Sequence, residues 1–352
     1  MPLFGRSKPA TPAEGVAAFW AWWSDSRSRI ESAIANRTVT GLADEITHHV
    51  HAINPGLVWE LGPSHTAKHT FCVSSEGNLA LRHFAEEWLQ AAPRPDGVWE
   101  FVTARPAVPA DSLSNIKIDL GGASANVGDA RVRVTPDTGR ERMDLSVWHP
   151  GFTNLPGEGR ARLGFLILDT ALGEDGVERW LGRIEWAEHP VDPSVEISAL
   201  PDEIKRFAAK ATGDQFALYQ GPSMRTGNPL ILNLNTALKH IDNIGKEHLL
   251  SVSIPSLTTG PNGMPASTET ARLEPIEDQL DVELKDAAVM GRLTGDGVRV
   301  LYRYVRSDAS AEIATSWASR FLGDRRVGVN VREDASWDWY RDGIYRVFKP
   351  RS

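Results

Sequence analysis

Five histidines lie within 22 residues, and they are the first candidates for metal chemistry. Two of them, His48 and His51, are three residues apart on a predicted helix, a spacing at which two imidazoles can share a metal ion. A zinc site also needs further ligands and groups that orient the rings, and the sequence has no HExxH or comparable spacing. We therefore favour a polar helix face with a solvated loop, and a metal-dependent enzyme is kept as an alternative. The five residues are His48, His49, His51, His65 and His69.

The single cysteine and a glycine-rich run lack the neighbours that their chemistry requires. Cys72 falls within an alternating strand pattern, with Lys68 and His69 as the basic residues beside it, and we predict a core or half-buried residue. The run Gly-Gly-Ala-Ser-Ala-Asn at 121–126 is not followed by a predicted helix, whereas a phosphate-binding loop leads into one. We predict a turn at this run.

Two pairs of adjacent carboxylates, Glu174-Asp175 and Glu277-Asp278, are candidates for acid–base chemistry. Adjacent positions on a helix point in different directions, so the two groups of a pair do not face one substrate atom. We predict solvated surface for both pairs. None of these candidates forms a catalytic signature, and we predict a protein without enzymatic activity, cofactor or metal.

The composition is that of a folded globular protein, because 41% of its 352 residues are hydrophobic and 24% are charged. The apolar runs 163–168 and 230–234 are far shorter than the roughly 20 residues that span a membrane, and no signal-peptide pattern is present. We expect a cytoplasmic protein without a membrane segment. At about 100–200 residues per domain, we predict a flexible tail over 1–12 and two domains over 13–212 and 213–352.

The formal net charge of −8 disfavours indiscriminate binding to nucleic acid or anionic membranes. This charge is unevenly distributed. Residues 286–352 hold eleven arginines and one lysine against nine acidic residues, a net charge of +3, which leaves −11 for residues 1–285. The C-terminal end is therefore locally basic.

Hydrophobic periodicity predicts an α+β protein. After two amphipathic helices, the N-terminal part shows the element order ββαβ, and the same order recurs downstream. The two copies share little residue identity, so an internal duplication is inferred from element order alone. The predicted elements are helices 12–35 and 41–53, strands 57–61 and 69–73, helix 78–92 and strand 98–103, followed by strands 131–135 and 143–148, helix 160–172 and strand 183–186.

The C-terminal part has the clearest pattern, with the element order βαββαβ. This order is typical of a ferredoxin-like domain, in which an antiparallel sheet carries two helices on one face. The pair Asp296-Gly297 predicts the hairpin turn between the two middle strands. The predicted elements are strand 249–254, helix 273–284, strands 289–293 and 298–305, a helix from 307 to 321 and strand 326–331.

Strand alternation predicts an arginine-rich face on this sheet. If the apolar residues of each strand face the helices, five arginines lie together on the opposite, open face. Such a face suits an acidic protein, phosphates, or acidic residues of the same chain. RNA readout is disfavoured, because Tyr302 and Tyr304 fall on the buried side of the pattern. The predicted partner-binding residues are Arg292, Arg299, Arg303, Arg326 and Arg332.

The C-terminal region also carries recognisable motifs. They are Asn262-Gly263-Met264-Pro265, the runs 273–280 and 291–297, Tyr302-Arg303-Tyr304, and Asp334 with Trp337 and Tyr340. With these motifs the chain from roughly 249 to 340 resembles the bacterial domain of unknown function 695 family, which is distantly similar to the regulators of ribonuclease E activity B. The N-terminal half, with its Phe19–Trp23 run, resembles segments of other uncharacterised bacterial proteins. The first resemblance implies a fold and, through the ribonuclease regulators, protein–protein binding.

We interpret the chain as an uncharacterised bacterial, cytoplasmic binding or regulatory protein that engages an acidic protein partner through the basic sheet face. Nucleic acid is a second possible partner. Three alternatives stay open: an RNA-binding or ribonuclease-regulating protein, a toxin-neutralising immunity protein, and a metal-dependent enzyme that uses the N-terminal histidines. The oligomeric state is left undetermined.

Overall fold

The structure, a computed structural model, describes residues 11–64, 66–120 and 123–348. It contains both helices and strands, and the predicted α+β class is confirmed. The predicted tail lies outside the described residues except for Thr11 and Pro12. None of the helices in the described ranges combines the length and the apolar composition that a membrane-spanning helix requires.

The chain divides into two compact units. The first unit extends to Ala107 and includes Gly173–Asp175, and the second comprises Val108–Leu172 and the chain from Gly176 onward. The predicted domain boundary between residues 212 and 213 falls inside the second unit. Each unit is described separately below.

The first unit begins with a long helix whose N-terminus is stabilised by a capping box. The Thr11 hydroxyl accepts a hydrogen bond from the Glu14 N–H, and the Glu14 carboxylate accepts one from the Thr11 N–H. Phe19 and Trp23 of this helix are buried in the aromatic core of the unit. The elements are α1 (Pro12–Ala35), α2 (Ala43–His51), β1 (Val58–Pro63), β2 (His69–Ser74), α3 (Arg82–Gln90) and β3 (Trp99–Val102).

The second unit starts with a hairpin and then a second ββαβ segment. Its first elements are β4 (Lys117–Leu120), β5 (Ala123–Asn126), β6 (Arg131–Asp137), β7 (Arg142–Trp148), α4 (Gly157–Trp180), β8 (Leu181–Trp186), β9 (Val195–Glu196) and α5 (Leu200–Ala208). Helix α4 is interrupted at Gly173, where φ is 71° and ψ is 159°, and its residues Gly173–Asp175 belong to the first unit. The pairing of β1, β2 and β3, antiparallel and then parallel, is repeated by β6, β7 and β8. The predicted recurrence of the ββαβ order is therefore observed, and a common origin of the two copies stays a prediction.

The C-terminal part of the second unit is built on a six-stranded antiparallel sheet, in the order β10-β11-β13-β14-β12-β15. From β12 to β15 the element order is the expected βαββαβ, and two preceding strands widen the sheet beyond the four strands of the expected ferredoxin-like arrangement. The elements are β10 (Phe216–Pro222), β11 (Pro229–Asn235), β12 (His248–Pro255), α6 (Ser267–Glu283), β13 (Ala288–Gly295), β14 (Val298–Val305), α7 (Ser310–Phe321), β15 (Gly328–Glu333) and α8 (Asp338–Arg341).

Both faces of this sheet are covered, by different parts of the chain. On one face Leu250 packs with Leu273 of α6 and Trp317 of α7, and we call this the helix face. On the other face Tyr304 packs against the C-terminal segment, residues 334–348, where its ring stacks on Trp337 with 4.1 Å between ring centroids. Trp337 is therefore packed on the sheet. The second face is not open as we expected.

Candidate functional site

The structure separates the five arginines that we placed on one open face. Arg299 and Arg303 are 2% and 4% exposed and lie on the helix face together with the half-buried Arg292. Arg332 lies on the opposite face, with its guanidinium carbon 4.8 Å from the centre of the Trp339 ring. Arg326 is exposed in the segment that precedes β15. The prediction of a single arginine face is therefore wrong.

Two features of the sheet account for this error. The strand β14 is buried on both faces, so its apolar alternation does not reveal which side meets the helices; Leu301 packs on the helix face, and Tyr302 packs on the other. In β13 a bulge between Val289 and Gly291 inserts one residue and reverses the alternation downstream. Arg292 consequently faces α6. The predicted orientation is correct for the apolar residues of β12 and β15.

One carboxylate holds two of these arginines. Glu277 of α6 accepts hydrogen bonds from Arg299 at 2.7 Å and from Arg292 at 2.8 Å. The Glu277 side chain is 8% exposed, so our prediction of solvated surface at this position is wrong. Arg303 pairs separately with Asp281, one helical turn further along α6, at 2.7 Å. Helix α6 thus neutralises only part of the charge of the arginines that it covers.

A cavity of about 210 Å³ lies beside Arg292 and Arg299. Strands β10 and β11 contribute to its floor, while the segment before α6 and the first turns of that helix supply Met264, Pro265 and Thr270. The polar lining consists of two guanidinium groups and neutral hydrogen-bonding side chains, next to an apolar wall. The lining residues are Leu218, Ile231, Asn233, Met264, Pro265, Thr270, Arg292, Thr294 and Arg299.

The electrostatics of this basic cavity favour an anion. By formal charge, Arg292 and Arg299 exceed the single negative charge of Glu277 by one. Within the described residues, the buried Nε of Arg299 has no hydrogen-bond partner. Burying an unsatisfied charged donor costs free energy that an added acceptor recovers. One further negative charge would balance the two guanidinium groups.

The region around the cavity matches a known protein family. Residues 224–345 match the sequence model of DUF695, a family of unknown function. The match confirms the family resemblance that we predicted from the C-terminal motifs, and it extends further toward the N-terminus. Neither a curated protein nor a solved structure matches the chain. The similarity to ribonuclease regulators and the resemblance of the N-terminal half stay predictions.

Most cavity residues lie within this DUF695 region, and some of them belong to recognisable sequence motifs. Met264, Pro265, Arg292 and Thr294 belong to the motifs that carry the family resemblance. Four cavity residues therefore stood in recognisable motifs, although we did not predict that they meet. The contribution of Leu218 depends on the two additional strands, which strand alternation within 249–332 does not reveal.

The N-terminal histidines do not form a metal site in the described part of the chain. His49 of α2 stacks on Trp22, with 4.3 Å between ring centroids, and burial lowers the pKa of its imidazole. His69 starts β2 and packs near Trp99, whereas His65 lies outside the described residues. Across the described ranges, no group of three or more His, Cys, Asp or Glu side chains is arranged to hold a metal ion.

The other residues of the first unit that were considered for catalysis are a buried cysteine and two carboxylates that form ion pairs. Cys72 is buried, as predicted, and burial raises the pKa of its thiol, which disfavours a reactive thiolate. Glu174 is 9% exposed and lies 3.6 Å from Arg105, so the prediction of solvated surface is wrong there, while Asp175 is exposed and pairs with Arg82 at 2.7 Å.

The glycine-rich run belongs to the hairpin of the second unit. Its residues Ala123–Asn126 form β5, and Gly121-Gly122, where we predicted a turn, lie outside the described residues.

A second polar cluster in the second unit was not predicted. Glu141, 5% exposed, accepts backbone hydrogen bonds from Thr212 and Gly213 and lies 3.9 Å from the Lys239 ammonium. That ammonium also sits 3.9 Å from the centre of the Trp180 ring, and burial lowers its pKa. Since these groups satisfy one another, we assign the cluster to packing between chain segments rather than to ligand binding.

Proposed function

We propose that the chain is a non-catalytic binding protein whose DUF695 region takes a carboxylate of an acidic protein partner into the basic cavity. The observation that carries this proposal is that two arginines share the single carboxylate of Glu277. One carboxylate serves both Arg292 and the buried Arg299, at 2.8 Å and 2.7 Å, on the wall of an open cavity. The partner's carboxylate supplies the missing negative charge.

The size and lining of the cavity favour a side chain over a whole small molecule. Its volume of about 210 Å³ is below the roughly 300–1,000 Å³ of cavities that bury drug-sized ligands. The apolar wall formed by Leu218, Ile231 and Met264 suits the methylene groups of a glutamate or a neighbouring apolar residue. A charge excess of one also matches a carboxylate better than a doubly charged phosphate.

The alternative of an RNA-binding protein has less support from this geometry. RNA-binding sheets of this element order stack bases on exposed aromatic residues of the face opposite the helices. Here that face carries Tyr302 and Tyr304, which are buried under the C-terminal segment. A ribonuclease regulator and an immunity protein are both specific cases of binding to a protein partner, and they are compatible with the proposal.

A direct test uses two probes that differ only in charge. N-acetylglutamate α-amide and its neutral analogue N-acetylglutamine α-amide are titrated into the full chain, and the arginine Nε–Hε resonances are followed by NMR. We expect the Arg292 and Arg299 signals to respond to the glutamate probe alone. Arg292→Gln should abolish the response, because it removes the excess charge while Glu277 keeps Arg299 as its partner.

The matched control is Arg326→Gln, which removes one positive charge at an exposed site of the same region. This variant should respond as the unmodified chain does. Equal responses to both probes, no response to either, or an unchanged response in Arg292→Gln would each contradict carboxylate binding at the cavity.

The protein partner is tested by affinity capture from the native host. Proteins retained by the unmodified chain and by Arg326→Gln should be lost with Arg292→Gln. An isolated partner should bind the Arg292→Gln variant at least about tenfold more weakly, with a reduced dependence on salt. A partner that binds all three proteins equally at every salt concentration would show that contact occurs elsewhere.

A further inference from the structure

The helix face of the six-stranded sheet is covered by helices over only part of its width. The core beneath α6 and α7 involves residues of β12, β14 and β15, and no described residue of β10 or β11 belongs to it. The helix-face side chains of β10 alternate with Tyr219, which packs toward the C-terminal segment, with 5.6 Å between its ring centroid and that of Tyr345. Phe216, Leu218 and Gln220 therefore lie on the helix face, and all three are exposed.

The exposed positions of β10 include large apolar side chains, unlike those of the strand at the other edge of the sheet. Phe216 and Leu218 are 50% and 67% exposed, and we call these two residues the apolar row. A strand with one solvated face normally has polar side chains on that face, so adjacent exposed apolar side chains there indicate an interaction surface. The exposed residues of β15 are Gly328, Asn330, Arg332 and Glu333.

The apolar row is continuous with the basic cavity through Leu218, which belongs to both. Leu218 pairs with Asn233 of β11, and Asn233 pairs with Arg292 of β13. At about 4.8 Å between neighbouring strands, the Cα atoms of Leu218 and Arg292 are roughly 10 Å apart, and Phe216 lies about 7 Å further along β10. Two residues of extended chain span about 7 Å. A segment with a carboxylate in the cavity therefore reaches the row with a side chain about two residues away.

We propose that the apolar row binds an apolar side chain of the same partner segment whose carboxylate enters the basic cavity. This inference rests on the proposed function and specifies its ligand, an extended acidic segment with a large apolar side chain about two residues from the carboxylate. The charge of the cavity selects this occupant, because Arg292 and Arg299 together exceed the charge of Glu277 by one. An acidic residue brings its apolar neighbour onto the row, whereas a wholly apolar segment leaves that charge unbalanced.

Four acetylated tripeptide amides test whether the apolar side chain contributes to binding. Their sequences are Glu-Ala-Leu and Leu-Ala-Glu, with Glu-Ala-Ala and Ala-Ala-Glu as counterparts that lack the large side chain. Each peptide is titrated into the full chain, and its affinity is measured from the shift of the Arg292 Nε–Hε resonance. We expect at least one leucine peptide to bind at least about threefold more tightly than its alanine counterpart, because its side chain leaves water for the apolar row. Phe216→Ser should abolish this difference.

The matched control is Val282→Ser, at an apolar side chain that is 66% exposed on α6, and it should retain the difference between the paired peptides. Equal affinities within both pairs, or a difference that persists in Phe216→Ser, would overturn the inference and leave carboxylate binding in place. Failure of all four peptides to shift the Arg292 resonance would contradict the proposed function as well.

Two other occupants of the apolar row are distinguishable by further measurements. A dimer that Phe216→Ser converts to monomers in sedimentation velocity would assign the row to a second copy of this chain. Leucine peptides that gain affinity over their counterparts only after deletion of residues 349–352 would assign it to the chain's own C-terminal residues. Either result would overturn the proposal that the row is available to a partner.

Discussion

Glu277 is the shared counterion of the two arginines that line the basic cavity. Its carboxylate contacts Arg299, which is 2% exposed, and the half-buried Arg292. A buried charge that loses its partner is costly, since neither solvent nor another group replaces the interaction. The same contacts that leave the cavity positively charged are therefore needed to keep Arg299 inside the fold.

We predict that Glu277→Gln lowers the free energy of unfolding by about 3 kcal/mol, because it leaves two guanidinium groups without a counterion. Urea unfolding followed by tryptophan fluorescence measures the change. The control is Glu274→Gln, the same substitution at an exposed position one turn earlier on α6, which should change stability by less than about 0.5 kcal/mol. Similar losses in both variants would show that the pairing at Glu277 contributes little.

At the scale of elements, α6 is anchored to the sheet edge at its first turn. Glu269 accepts hydrogen bonds from the guanidinium of Arg325, in the segment before β15, and from the N–H of Leu257, which follows β12. Both side chains of the ion pair are buried, at 4% and 1% exposure. Burial raises the pKa of the Glu269 carboxyl, whereas the hydrogen bonds from Arg325 and Leu257 lower it. The lowering effect is the larger, so the pKa lies below the ordinary value of 4.5.

This pKa shift predicts a pH-dependent contribution to stability. A carboxyl whose pKa is lower in the folded state stabilises the fold fully above its unfolded pKa of 4.5, and this contribution is lost as the pH falls through the lower folded value. We expect Glu269→Gln to be less stable than the unmodified chain near pH 7. The difference should shrink on acidification from roughly pH 5 to pH 3.

Urea unfolding at a series of pH values measures this difference. Glu312→Gln, at an exposed position on α7, is the control and should follow the unmodified chain throughout. A difference between Glu269→Gln and the unmodified chain that stays constant from neutral to acidic pH would contradict the assignment to this carboxyl.

At the scale of the whole molecule, the chain has separate hydrophobic cores in its two compact units. Trp88 belongs to the core of the first unit, and Trp317 belongs to the core between the sheet and helices of the DUF695 region. Both side chains have 0% exposure. Residues 108–172 and 176–212, which include most of the second ββαβ segment, belong to the second compact unit but were predicted to belong to the N-terminal domain.

We predict that Trp88→Ala, which creates a cavity costing about 3–5 kcal/mol, opens the first unit alone. In hydrogen exchange measured by mass spectrometry, protection should fall in α1–α3 and β1–β3 and persist in β6–β8 and β10–β15. Trp317→Ala should show the reverse pattern. Loss of protection over residues 131–186 in Trp88→Ala would instead support a domain that ends near residue 212.

The elements with a strong local pattern could be predicted, because local interactions determine them. Helical periodicity predicts α1, and the pair Asp296-Gly297 predicts the hairpin between β13 and β14. The α+β class and the resemblance to the DUF695 family follow from such local patterns and motifs. The absence of a recognisable catalytic motif is likewise a property of the sequence.

Only the tertiary structure decided which residues meet. The face on which Arg299 lies depends on α6 packing over one side of β14, while the C-terminal segment covers the other, and β14 has buried apolar residues on both faces. A bulge of one residue turned Arg292 toward Glu277, although 15 positions separate them in the chain. The alternation of apolar residues is a property of a single strand. Burial and charge pairing depend on which other elements pack against that strand. For that reason the arginines were recognisable from the sequence, and the cavity that they line was not.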